Sequence, residues 1–139
     1  MDREMKRRDD WMQRLSNYIG RHSRAGFRYG ELDCALFAAG AVAAMTDEDL
    51  SAPYRGRYKT LTGALRVLRK AGHRDHIALV DSLFEAVPPA FAHPGDVVCV
   101  DTEDGPALGV LQGPKIYLLT EANGIQTRSR LDAVKAWRV

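Results

Sequence analysis

The spacing of apolar residues changes at a cluster of prolines past the midpoint of the chain, and this change limits the folds that the chain can adopt. Before Pro88, apolar residues recur at helical spacing, whereas from Asp96 onward they form short runs separated by turn residues. Pro88, Pro89 and Pro94 end the helical pattern, because proline lacks the backbone N–H that a helix interior needs. Helices followed by antiparallel strands predict an α+β fold.

Four helices are predicted before the prolines. The first three combine apolar residues at helical spacing, or a run of small apolar residues, with capping or glycine signals at an end, whereas the fourth is shorter and has a weaker signal. The second helix, which is apolar on most of its faces, is expected to be the buried central helix. In chain order the helices begin near residue 11 and then cover residues 33–45, 60–71 and 76–84.

Five strands are predicted after the prolines, and we expect them to form an antiparallel meander on which the helices pack. Asp104-Gly105, Gly113-Pro114 and Asn123-Gly124 are the turn signals between them. The expected strands are 97–100, 107–111, 116–120, 125–127 and 136–139. Because no linker or repeat divides the sequence, residues 1–139 are predicted to be one domain, with residues 1–10 as a flexible or partner-bound N-terminal segment.

Charge and hydropathy exclude several classes of protein. The net charge is +2, and its basic excess lies near the start, without the basic stripe and interleaved aromatics of a nucleic-acid binder. No apolar run is long enough to span a bilayer, and the charged start is unlike a secretory signal, so synthesis in the host cytoplasm is expected. No phosphate-binding glycine loop or His/Cys cluster is present, so no cofactor and no metal are predicted.

Cys34 is the residue in this sequence most suggestive of chemistry. It follows Asp33, a good helix-capping residue, and so stands where unpaired amides and the helix dipole stabilise a thiolate. The alternative is that Cys34 is simply a small buried apolar residue. Whether Cys34 approaches Cys99 stays open, since the spacing of the two neither requires nor excludes a bridge.

Three motifs in order and register resemble the NlpC-type cell-wall peptidases, which have a papain-like fold. Asp33-Cys34-Ala35-Leu36-Phe37 is similar to their Asp-Cys-Ser-Gly-Phe nucleophile motif. Pro94-Gly95-Asp96-Val97-Val98 resembles their Pro-Gly-Asp-Leu-Val approach to the first core strand. Residues 107–113 resemble the His-Val-Gly-Ile-Tyr-x-Gly strand that carries their catalytic histidine. The resemblance implies an NlpC-type domain with Cys34 as the candidate nucleophile.

One branch of that family is more similar still: NlpC-like proteins encoded among bacteriophage and prophage tail genes. The shared features are the Phe27…Gly30…Asp33-Cys34 opening, the 55–60 segment, a Leu-Gly-Val strand and the closing residues 136–139. This resemblance implies a place in the virion tail, with other tail or tail-tip proteins as partners. Peptide from peptidoglycan is a further possible ligand.

The chain departs from the family at the catalytic base. Where the family has histidine, this chain has Ala107, and of the residues at the orienting position only Thr120 is polar. Because a helix N-terminus cannot shuttle a proton to a leaving amine, standard peptidase chemistry is expected to be missing. His93, near the mouth of the first core strand, is the best substitute base. His22, His73 and His76 are interpreted as solvent-exposed loop histidines.

The favoured hypothesis is a structural component of a phage tail, at the tail tip, hub or baseplate, without standard peptidase activity. The alternative is an active cysteine peptidase or amidase that acts on cell-wall peptides through Cys34, with a relocated base such as His93. The third hypothesis is a tail-assembly factor that is absent from the mature virion.

Overall fold

Four helices precede a six-stranded antiparallel sheet in the computed structural model, which describes residues 6–139. The predicted α+β layout is confirmed. The helices are α1 (Trp11–Arg21), α2 (Cys34–Thr46), α3 (Leu61–Lys70) and α4 (His76–Leu83). The strands are β1 (Glu85–Val87), β2 (Val97–Thr102), β3 (Gly105–Gln112), β4 (Lys115–Thr120), β5 (Gly124–Ser129) and β6 (Ala133–Arg138). Short 3₁₀ helices cover Pro89–Phe91 and Arg130–Asp132.

The sheet is a meander only in part. Its strand order is β1-β6-β2-β3-β4-β5, so β2 to β5 follow one another as predicted. The last strand instead returns to the far side of β2, where Trp137 lies opposite Val97. There it also pairs with β1, which the sequence analysis did not predict. Three residues are too few to show a strand pattern, and their partner is the last strand of the chain.

The central strands are buried on both faces, which explains their continuous apolar runs. One face carries α2, and α1 packs on α2 in turn. Here Tyr18 donates a hydrogen bond to the Phe37 carbonyl at 2.8 Å. Gly40 makes this approach possible, since a Cβ there would lie 2.2 Å from the Tyr18 hydroxyl. The opposite face holds a second apolar cluster, formed mainly by Val98, Val100, Leu111, Ile116, Leu118 and Ala136.

The two ends of the described chain meet at Asp96, whose side chain is fully buried. Its Oδ1 accepts hydrogen bonds from Arg7 Nη2 at 2.9 Å and from the Val139 N–H at 3.0 Å. Arg138 Nε lies 3.3 Å from Oδ2. The predicted flexible or partner-bound segment, 1–10, falls partly outside the described residues; within its described part, Arg7 and Arg8 are bonded to the body of the domain.

Helices α3 and α4 pack sparsely. Each buries a single residue, Leu68 and Val80 respectively, although both helices carry further apolar side chains. This leaves an open depression between the two helices and the sheet. Within residues 6–139, no helix is both long and apolar enough to cross a bilayer.

Candidate functional site

A cleft of about 780 Å³ opens where the helices meet one end of the sheet. Its walls come from the start of α2, from α3 and α4, and from the turns that join β2 to β3 and β4 to β5. Its lining includes Tyr29, Asp33, Cys34, Tyr58, Leu61, Leu65, Leu68, His76, Asp101, Glu103, Asp104, Ala107, Thr120, Glu121 and Arg128.

Cys34 is the first residue of α2, and Asp33 is the predicted helix cap. Asp33 has extended backbone angles, and its Oδ1 accepts a hydrogen bond from the Leu36 N–H at 2.9 Å. The cap prediction is therefore confirmed, and the Cys34 thiol lies at the amino end of the helix, against the cleft.

Asp33 also ties two loops to the start of the helix. Its Oδ2 accepts hydrogen bonds from the Tyr58 hydroxyl at 2.5 Å and from the Gly30 N–H at 3.2 Å. Gly30 has φ +82°, and a Cβ at this position would lie 1.8 Å from the Tyr58 carbonyl oxygen. Only glycine permits this approach. The result is a rigid support beneath Cys34, and Tyr58 is a site residue that the sequence did not single out.

The Cys34 thiol is less acidic than its position at a helix start suggests. Burial raises the pKa of Cys34 to about 11, and the nearby Asp33 carboxylate acts in the same direction. The backbone N–H groups of Leu108, Ala35 and Cys34 itself lower the pKa, but burial outweighs them. This environment therefore favours the neutral thiol, as in the alternative interpretation of Cys34 as a small buried residue.

Ala107 lies on β3 beside Cys34, at the position where the resemblance to NlpC-type peptidases leads us to expect histidine. The two residues share the cleft wall, and both pack against the second apolar cluster. Across the described residues, no side chain forms a hydrogen bond with the Cys34 sulfur. Thr120, the predicted orienting residue, lines the same cleft, but its hydroxyl is bonded within its own turn, to the Gly124 carbonyl at 3.1 Å.

His93 is far from this arrangement, so the predicted Cys34–His93 pair is not formed. It precedes β2 at the end of the sheet opposite the cleft, where Arg138 Nη1 lies 3.4 Å from its Nδ1. The cleft end of β2 is marked by Val100, which pairs with Ala107. Three residues of strand, about 10 Å, separate Val100 from the Val97 end near His93. The turn at residues 94–96, which suggested that His93 lies near Cys34, is at the opposite end of β2 from the cleft.

His76 is the histidine that shares the cleft with Cys34. As the first residue of α4, it follows the capping Asp75, and its Nε2 lies 2.8 Å from the Pro106 carbonyl oxygen, one residue before Ala107. His76 therefore begins a helix instead of lying in a loop, and its side chain is only half-exposed. The capping signal at Asp75 could locate the helix, but nothing local in the sequence indicates that this helix start meets β3.

The family model described as Domain of unknown function (DUF6950) matches residues 6–139. The chain belongs to this family. No curated protein matches the chain. The match covers every helix, strand and cleft residue described above, so the cleft lies within the part of the chain that defines the DUF6950 domain.

The two cysteines of this DUF6950 domain are both free thiols. Cys99 is buried on β2, and burial raises its pKa to about 11, with Cys34 and Asp101 contributing in the same direction. The two thiols therefore lie in one neighbourhood without a bridge. Over the described residues, no group of three or more His, Cys, Asp or Glu side chains is arranged to hold a metal ion.

Proposed function

We propose that the protein is a structural component of a bacteriophage tail, at the tail tip, hub or baseplate, with an NlpC-like cleft that binds without cleaving. The absence of peptidase activity in this proposal rests on one observation, that Ala107 lies beside Cys34. A cysteine peptidase needs a base in hydrogen-bond reach of its thiol and a group that orients the base. Here an alanine and a turn-bonded Thr120 take those places.

The state of the thiol supports the same proposal. A cysteine whose pKa is about 11 is almost entirely protonated at neutral pH, and the thiol is a poor nucleophile. The supporting cap, by contrast, is intact, since Asp33 is bonded to Leu36, Gly30 and Tyr58. An intact helix cap thus supports a thiol that has no base beside it, and this combination supports a cleft that serves binding.

The place in the tail rests on the resemblance to NlpC-like proteins encoded among tail genes. Several residues of that resemblance hold the fold together. Trp137 in the closing segment is buried, with its N–H donating to Asp81 Oδ1 at 2.8 Å. In the 55–60 segment, Tyr58 supports Asp33 and Thr60 caps α3. These contacts stabilise the scaffold and do not carry out chemistry.

The test is quantitative proteomics of phage particles purified from a strain that carries the gene. We expect the chain at a fixed copy number relative to the other tail proteins. Its absence from complete particles, with presence in assembly intermediates, would identify an assembly factor instead. In parallel, purified protein incubated with peptidoglycan fragments should release no new amino groups. Cleavage that Cys34→Ala abolishes would contradict the non-catalytic part of the proposal.

One observation favours a second candidate, a cysteine peptidase or amidase acting on cell-wall peptides. His76 lines the same cleft as Cys34 and contacts the strand at Pro106. A shift of α4, which packs sparsely, would free its Nε2 from that carbonyl. If this enzyme exists, His76→Ala removes cleavage and His93→Ala does not. Equal activity in the two variants would exclude His76 as the base.

A further inference from the structure

We infer that the cleft takes an extended segment of a partner protein that carries lysine or arginine side chains between apolar ones. This inference rests on the proposed function, in which the cleft binds, and it adds the chemistry of the ligand. Two features of the cleft carry it. Its floor is an apolar surface without a partner in the fold, and its rim is negative although the chain as a whole has a net charge of +2.

The floor comes largely from α3. This helix is amphipathic, with Leu61, Leu65 and Leu68 on one stripe, and all three side chains line the cleft. Only Leu68 is buried, and Leu61 is 48% exposed. A helix normally buries its apolar stripe in the core of its own domain. Here the stripe faces an open groove, which is the arrangement expected of a helix that packs against a ligand.

The rim consists of carboxylates on two turns at the same end of the sheet. Asp101, Glu103 and Asp104 lie on and beside the β2–β3 turn, and Glu121 follows β4. All four are exposed. Throughout residues 6–139, none of them forms an ion pair. The one arginine of the lining, Arg128, is already paired, with its Nε 2.9 Å from Asp132 Oδ2.

The negative field of the rim extends to the Tyr29 hydroxyl at the cleft wall. Burial raises the pKa of Tyr29, and the charge of Glu121 raises it further, with Cys34, Asp33 and Asp104 acting in the same direction. Unpaired carboxylates around an apolar groove therefore complement a ligand with cationic side chains, and they repel an anionic one. An extended segment suits the groove because alternate side chains can enter the floor and reach the rim.

Fluorescence anisotropy with two labelled hexapeptides tests this inference. One alternates leucine and lysine, and the other alternates leucine and glutamate. We expect the lysine peptide to bind, the glutamate peptide not to bind, and affinity for the former to fall with added salt. Replacing two rim carboxylates, Glu103→Gln with Glu121→Gln, should weaken binding by about threefold to tenfold. Leu61→Asn, an exposed change on the floor, should weaken it as well.

The matched control is Asp9→Asn with Glu85→Gln, which removes the same charge from exposed positions outside the cleft. It should leave affinity unchanged. Equal binding of the two peptides, or equal weakening by the control pair, would overturn the inference and leave the proposed function standing. Mass spectrometry of the bound peptide separates the two proposals. Cleavage of the lysine peptide would contradict the non-catalytic function, whereas the preference of the cleft for cationic segments would still hold.

Discussion

Two opposing effects act on the thiol of Cys34. The amino end of α2 and nearby backbone N–H groups stabilise a thiolate, whereas burial against the sheet stabilises the neutral thiol. Burial prevails, since the pKa rises to about 11. In a working cysteine peptidase an adjacent imidazolium tips this balance toward the thiolate. In the proposed function, residue 107 is thus the position at which this site differs from a reactive one.

Ala107→His should make the Cys34 thiol easier to ionise. With alanine at position 107, about one Cys34 thiol in ten thousand is ionised at pH 7, given a pKa of about 11. An imidazole beside the sulfur should lower the thiol pKa and raise the rate of alkylation by iodoacetamide at pH 7 by about tenfold or more. Peptide mapping assigns the label to Cys34 or Cys99. Ala107→Gln is the control of similar size, and equal rates in the two variants would contradict this interpretation.

At the scale of elements, local signals determine most of what could be predicted. The predicted cap at Asp33 accepts its backbone hydrogen bond, and Thr60 and Asp75 cap the next two helices in the same way. The hairpin turns join the strands that they separate in sequence. Contacts between distant segments were missed: β1 with β6, and His76 with Pro106. Such contacts depend on how whole elements pack, and a single sequence does not record that.

Removing the N-terminal cap should destabilise the protein more at α2 than at α3. Asp33→Ala removes a cap and leaves the Tyr58 hydroxyl and the Gly30 N–H without their acceptor. We expect it to lower the free energy of unfolding by about 2–3 kcal/mol. Thr60→Ala removes an exposed cap on the sparsely packed α3 and should cost about 0.5–1 kcal/mol. Urea unfolding followed by circular dichroism measures both. A larger loss for Thr60→Ala would refute this ranking.

At the scale of the whole molecule, Asp96 connects the start of the sheet to both ends of the described chain. Arg7 is the chief contact from the N-terminal side, and its guanidinium also donates to the Pro94 carbonyl at 2.7 Å and to the Val139 carbonyl at 3.1 Å. Gly95 makes room for it, because a Cβ there would lie 2.6 Å from Arg7 Nη1. Of the basic residues near the start, Arg8 and Arg14 pair with Asp47 instead.

Alanine substitutions at the neighbouring Arg7 and Arg8 test how much the Asp96 contact stabilises the fold. Arg7→Ala leaves the buried Asp96 carboxylate without its shortest ion pair, and we expect a loss of about 2–4 kcal/mol in the free energy of unfolding. Arg8→Ala breaks a pair in which both side chains are more than half exposed and should cost about 0–1 kcal/mol. Guanidinium unfolding curves of the two variants provide the comparison. Equal midpoints would show that Arg7 does not hold the segment to the domain.

The closeness of residues 7 and 139 also makes the fold suited to circular permutation. A short peptide linker could join these residues, and the chain could be reopened at the exposed turn between α3 and α4, around Gly72. Such a circular permutant would keep every strand pairing of the sheet and the Asp96 contacts. It would also place the new termini beside α3, next to the cleft floor, where a fused reporter could detect occupancy.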